Sequence, residues 1–365
     1  MKNTFGNQIT LTIFGESHGS GIGVVLDGLA PGIKVDESFL AAQLSKRRPV
    51  GKISTARREQ DEYTVESGVF NGYTTGTPLC IVIPNTAQHS KDYSATRSKA
   101  RPGHADYTAY CKYHGFEDYR GGGHFSGRIT AGLVAAGGIL IPALEQKGIR
   151  IGTHMSRCGG VADRSFEDLQ ADINALNEAV FPVLSVDSAQ EMHAAIEAAA
   201  EQGDSVGGVL ETAITGLPAG LGEPWFDSVE SLLSHGLFSI PAVKGVAFGD
   251  GFALADQTGS EANDPYRIMD GKIVTSKNSI GGINGGISNG MHIIFQTAIK
   301  PTPSIYKEQD TVDFMKDEET TLQIAGRHDP CIVHRARVVV DSICAFVVAD
   351  LLTGRFGTDY LRDEQ

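Results

Sequence analysis

Cysteine is scarce in this chain, and its few copies show no pairing pattern. The five, at positions 80, 111, 158, 331 and 344, form no Cys-x-x-Cys unit. An odd, dispersed set argues against a disulfide framework or a zinc site and points to reduced thiols in a cytoplasm. Long apolar runs are missing too. Met1-Lys-Asn-Thr has none of the apolar character of a signal peptide. No stretch reaches the ~20 uninterrupted apolar residues of a membrane span, and the nearest, Val338 to Leu352, is broken by Asp341 and Asp350. Neither a Walker A loop nor a Gly-x-Gly-x-x-Gly fingerprint occurs, which disfavours ATP and a Rossmann dinucleotide site. Positive charge is in the minority, with 31 Lys and Arg against 44 Asp and Glu. The resulting net charge of −13 argues against general nucleic-acid binding.

What basic charge there is clusters. Residues 46–58 and 91–128 hold 13 of the 31 Lys and Arg and only four acids. A local excess of +9 inside an acidic chain suits a concave site for a small polyanion. The densest stretch runs from Arg101-Pro-Gly-His104-Ala-Asp106 to Arg120-Gly-Gly-Gly-His124-Phe125-Ser126-Gly-Arg128. Three consecutive glycines let the backbone turn and approach a ligand closely. A glycine loop opening onto the small, apolar segment from Ile129 would present free N–H groups to a phosphate.

Elsewhere, Ile9 to Phe14 alternates as a strand and runs into Gly15-Glu16-Ser17-His18-Gly19. That matches the Gly-x-Ser-x-Gly elbow of hydrolases, but an elbow needs a following helix. Ser20 to Leu26 instead reads as glycine-rich and then strand-like, so Ser17 and His18 are expected on a tight loop at a strand end. Asp36 is placed as the cap of a helix over about 37–47, and Ser188-Ala-Gln-Glu191 as a capping box with Gly203 as the stop. Gly23 to Gly32 and Gly208 to Gly220 resemble each other as strand, Gly-Leu turn and following helix, the second helix running from Trp225 to Leu233. This suggests an internal duplication. A second glycine loop spans Ser279 to Gly290, and Gly326-Arg327-His328-Asp329-Pro330-Cys331 precedes an apolar helix from Arg337 to Leu352. His18, His104 and Asp329 are the groups on reachable loops that can move protons.

These blocks, in this order, resemble the chorismate synthases. The matching segments are Phe14-Gly-Glu-Ser-His-Gly19, Arg101 to Asp106, Arg120 to Arg128, Gly281 to Gly290, Lys300-Pro301-Thr302-Pro303-Ser304 and Arg327-His-Asp-Pro-Cys331. The resemblance implies an α+β fold in one domain over 1–365, a β-α-β sandwich with helices between antiparallel sheets. It implies a carbon–oxygen lyase that eliminates phosphate from 5-enolpyruvylshikimate 3-phosphate. The required cofactor is reduced FMN, with NADPH only as an indirect reductant and an external flavin reductase as supplier. A cytoplasmic homotetramer with no membrane or nucleic-acid partner and no metal is expected.

By the same resemblance, His18 protonates the departing phosphate, His104 sets the protonation of the flavin ring, and Asp329 helps move the C6 proton by way of the flavin. Ser17, Arg47, Arg48 and Arg128 are expected to hold substrate. His124, Phe125, Ser126, Pro241, Ala242, Gly285, Lys300 to Ser304 and Arg327 are expected to hold the flavin. Many members carry Arg-Ser-Ser where this chain has His124-Phe125-Ser126.

Overall fold

The fold is a computed structural model that describes all residues except 1, 50, 52, 55–60, 87–96, 325–327 and 364–365. Two five-stranded antiparallel sheets flank a layer of helices. The first contains β1 (Thr4–Phe5), β2 (Thr10–Gly15), β3 (Gly21–Asp27), β4 (Thr64–Ser67) and β5 (Leu79–Pro84), in the order β1-β2-β3-β5-β4. The second contains β6 (Arg150–Cys158), β7 (Val161–Ala162), β8 (Gly208–Thr215), β9 (Val243–Phe248) and β10 (Ile293–Ile299), in the order β9-β10-β8-β6-β7. The helices are α1 (Glu37–Ser45), α2 (Asp106–Tyr113), α3 (Thr130–Gln146), α4 (Leu169–Glu178), α5 (Val186–Glu201), α6 (Val229–Ser239) and α7 (Val333–Phe356). The fold class is α+β, as expected.

The expected duplication is visible in the topology. In each half an antiparallel strand pair (β2/β3, then β6/β8) runs into a Gly-Leu turn. A short helix comes next (α1, then α6), then a strand pairs antiparallel with the second member of the pair (β5, then β10), and a long core helix closes the half (α3, then α7). Gly28 and Gly216 hold corresponding positive φ angles of 84° and 81°. At each, a Cβ would run into a carbonyl just before the partner strand, that of Gln8 or of Gly148, so only glycine fits.

The long helices α3 and α7 pack against each other in the middle layer, with α1 against α3 and α6 against α7. α3 is buried almost all round, which explains its lack of a polar stripe. Its Gly138 lies so near α1 that a Cβ would stand 2.9 Å from Leu40 Cγ. By length and composition it is Gly127–Gln146, not Val338 to Leu352, that comes nearest to a membrane span, and it is packed inside the protein.

Three boundaries differ from expectation. α7 begins at Val333, a turn earlier than Arg337, because the buried His334 and Arg337 read as polar but lie in the core. Trp225–Asp227 is only a 3₁₀ turn ahead of α6. The cap of α5 is Ser185, whose Oγ accepts from Ser188 N, rather than Ser188 itself. Asp36 does cap α1, accepting from Phe39 N at 2.9 Å.

Candidate functional site

The triple glycine is the floor of the site. Gly121, Gly122 and Gly123 all have positive φ, at 58°, 84° and 52°. A Cβ on Gly121 would overlap the His18 ring, and one on Gly122 would stand 3.2 Å from His104 Cε1 and 3.3 Å from its Nε2. The two imidazoles therefore lie over consecutive glycines of one loop, whose Cα atoms are ~3.8 Å apart. Here glycine is needed so that two rings can approach the backbone.

His18 is held at the end of β2. Ser17 N donates to Gly123 O at 3.1 Å, and Ser17 Oγ is 3.1 Å from His18 Nδ1. The Ser17 hydroxyl is buried and also lies 3.2 Å from the carbonyls of Arg120 and Gly121. The chain continues from this turn into strand β3 rather than a helix, so this is no hydrolase elbow. His104 comes from the turn before α2. Its Nδ1 is 3.0 Å from Asp106 Oδ1, and Asp106 is clamped side-on by Arg101 Nε at 2.7 Å and NH2 at 2.6 Å. Burial alone would raise the Asp106 pKa, but the bonds from Arg101 and His104 win and hold it far below the usual carboxylate range.

The arginines form a linked cluster. Arg128 and Arg47 share the buried Asp61, Arg47 NH1 reaching Oδ2 at 2.9 Å and Arg128 taking Oδ1. Arg128 Nε also donates to Asn85 Oδ1 at 3.1 Å, and Arg47 NH2 donates to Gly127 O and Thr130 Oγ1, both at 3.1 Å. Burial, together with Arg128 and Arg335, pulls the Arg47 pKa down to about 10, with Asp61 opposing. Arg335 bonds Arg47 O at 3.1 Å and pairs with Asp329. The sequence puts Arg327 near Asp329. Arg327 lies outside the described residues, and Arg335 on the first turn of α7 is the partner seen. Asp61 and Asn85 carry no signal in the sequence, since they meet Arg128 from 67 and 43 residues away. Arg120, expected to bracket the loop for an anion, is instead tied to Asp118 at 2.7 Å.

The Lys300 to Ser304 segment closes another side. Lys300 Nζ donates to Gly103 O, and Lys300 N to Ala242 O at 3.0 Å. Ala242 takes φ 73°, a strained value for a residue with a side chain. Arg101 stands near enough to His328 to disfavour its protonated form, adding to burial, while Asp329 opposes. A small cavity lies between Ser304–Tyr306 and His328–Pro330. His124 Nδ1 is 2.8 Å from Gly15 O, and Phe125 stands edge-on to Tyr113. Ser126 Oγ accepts from Arg128 N at 3.3 Å. Gly285 sits at an open hairpin turn with nothing within 4 Å. Ala242 is joined to the His104 loop through Lys300, which donates to Ala242 O and to Gly103 O.

A family model described as chorismate synthase matches residues 9–353. The chain belongs to the chorismate synthase family. It is 47 % identical to the chorismate synthase of Pyrococcus abyssi, over 96 % of this chain and 97 % of that one. With that of Thermococcus kodakarensis it shares 46 % over 96 % and 97 %, and with that of Lachnoclostridium phytofermentans 45 % over 99 % and 98 %. A crystal structure titled chorismate synthase superposes with a TM-score of 0.77 at 27 % identity, covering 97 % of this chain and 94 % of that one. Membership makes the chain an enzyme.

The structure also changes what Arg128→Ala should do. Arg128 is buried and neutralises half of Asp61. Its loss is expected to cost about 3 kcal/mol of stability, at the lower end for a broken buried pair because Arg47 remains. Denaturant melts check this, and unchanged stability would show that Arg47 alone neutralises Asp61.

Proposed function

We propose that the chain eliminates phosphate from 5-enolpyruvylshikimate 3-phosphate in the 1,4-anti sense to give chorismate, using bound reduced FMN. The carrying observation is the seating of His18 and His104 on consecutive glycines beside a buried arginine cluster. The donor set fits a phosphate-bearing flavin and an anionic substrate. Lys300 supplies charge, and Thr302 Oγ1 and His328 Nε2 are buried without a hydrogen-bond partner among the described residues. Buried polar atoms left this way are costly unless a ligand completes them. His124 to Ser126, Ala242, Lys300 to Ser304 and the neighbouring His328 would hold the cofactor, with Pro241 and Gly285 at its edge. When bound, the reduced flavin supplies electron density that weakens the carbon–phosphate-oxygen bond.

The chain's own groups do the rest. Ser17, Arg47, Arg48 and Arg128 orient a substrate with two carboxylates and a phosphate, since guanidinium forks match such anions. His18 gives a proton to the departing phosphate oxygen. His104 holds a proton at the cofactor's edge. Asp329, kept beside the Arg335 guanidinium, disposes of the proton lost from C6. Asp329→Asn should fold, bind FMN and lose about 100-fold or more in kcat, as removal of an acid–base group does. A rate within threefold of wild type would exclude Asp329 from the proton path.

The test of the whole reading is anaerobic. Reduced FMN and 5-enolpyruvylshikimate 3-phosphate are mixed with the protein, and phosphate release is followed with the flavin spectrum. Release without any flavin requirement, or none with it, would overturn the assignment. We further propose a cytoplasmic homotetramer served by a separate flavin reductase. Trp225 and Phe226, 84 % and 92 % exposed, are apolar surface that another subunit would cover. Sedimentation showing only monomer would contradict this.

A further inference from the structure

The Asp106 carboxylate has four acceptor positions, two on each oxygen. Arg101 fills three of them. Its backbone N (3.0 Å) and Nε (2.7 Å) take Oδ2, and its NH2 (2.6 Å) takes one side of Oδ1. The fourth position, on Oδ1, faces His104 Nδ1 at 3.0 Å. A carboxylate so surrounded by donors stays ionised and can only accept. The contact with Nδ1 is therefore satisfied only if Nδ1 carries a hydrogen.

Arg101 NH2 also lies 2.9 Å from Nδ1. Nδ1 can serve only one of these two contacts, as donor to Oδ1 or as acceptor from the guanidinium. The alternative, a guanidinium hydrogen given to a bare Nδ1, would leave that lone pair 3.0 Å from an anionic oxygen, acceptor against acceptor. The charge-assisted N–H···O⁻ arrangement is the stronger.

We infer that Asp106 is a positioning residue for His104. It accepts from Nδ1–H, locks the ring over Gly122 and makes Nε2 the working nitrogen. The inference rests on the role given to His104 above. In that role Nε2, the nitrogen beside the Cβ-less face of Gly122, accepts and returns the proton. Without the carboxylate the ring is free to turn and to exchange tautomers, as when an outer carboxylate is taken from a ligating histidine. Asp106 begins α2, and its backbone is fixed by the helix. The support is therefore rigid and does not depend on ligand.

The test needs neither cofactor nor substrate in its first arm. The full chain is labelled with ¹⁵N at histidine, its imidazole signals are recorded where the ring is neutral, and His104 is assigned by its absence in His104→Gln. The expected wild-type pattern is a protonated Nδ1 and a bare Nε2. Asp106→Ala should move the ring toward the Nε2–H form, and Asp106→Asn, which keeps an oxygen but no charge, should fall between. In anaerobic turnover Asp106→Ala should lose about 10- to 100-fold in kcat with KM changed less than about threefold.

A wild-type ring bearing its hydrogen on Nε2 overturns the inference with no variant needed, so a poorly folding Asp106→Ala does not protect it. An Asp106→Ala spectrum identical to wild type overturns it too. If the tautomer shifts as expected but His104→Ala turns over normally, the proposed role of His104 fails while the positioning inference stands.

Discussion

His104→Ala is expected to yield a folded chain that binds FMN and substrate but turns over about 10²- to 10⁴-fold more slowly, the usual cost of losing a proton-transferring group. The fold should survive because the His104 side chain is held by Asp106 and lies over the glycine loop, outside the hydrophobic core. Binding should survive because the arginines proposed to hold the substrate are fixed by Asp61 and by the Gly127 carbonyl. The measurement is single-turnover rate under anaerobic conditions beside a flavin-binding titration. Loss of both together would mean that the ring is a structural strut. A rate near wild type would mean that the geometry over Gly122 serves no chemistry.

Gly121→Ala should be nearly as damaging while adding only a methyl group. At φ 58° an L-residue costs about 1 kcal/mol, which the fold can bear. The larger effect is on His18, whose ring occupies the space the methyl would need. A displacement of about 1 Å is enough to lower kcat by about 100-fold. Gly259→Ala is the control, because nothing lies within 4 Å of its position and its φ is not positive. Comparable kcat values for the two variants would show that His18 tolerates relocation and is not held for catalysis.

Much of this was legible in the linear chain. Alternation in β2, the Asp36 cap and the uninterrupted small apolar run of α3 arise from periodicities that local sterics impose. The repeated strand and Gly-Leu turn marked the duplication, because a chain that must pass a carbonyl closely at positive φ has only glycine to use. His18, His104 and Asp329 also stand out there as candidates, on loops rich in residues that permit close approach.

Partnership was not legible. The triple glycine reads as a loop that can approach a ligand closely, and only the return of the β2 end onto it shows that the His18 ring lies there. Arg128 reads as a free anion contact, but Asp61 meets it from 67 residues away. Asp329 reads as the neighbour of Arg327, and the first turn of α7 brings Arg335 to it as well. Backbone preference and hydrophobic period act over a few residues, and so the sequence alone determined elements, repeat and the candidate reactive side chains. Electrostatic pairing acts across space, between groups that meet only once two sheets have closed on α3 and α7. The pairing of Arg128 with Asp61 and the bond from Arg335 to the Arg47 carbonyl were therefore decided by tertiary structure.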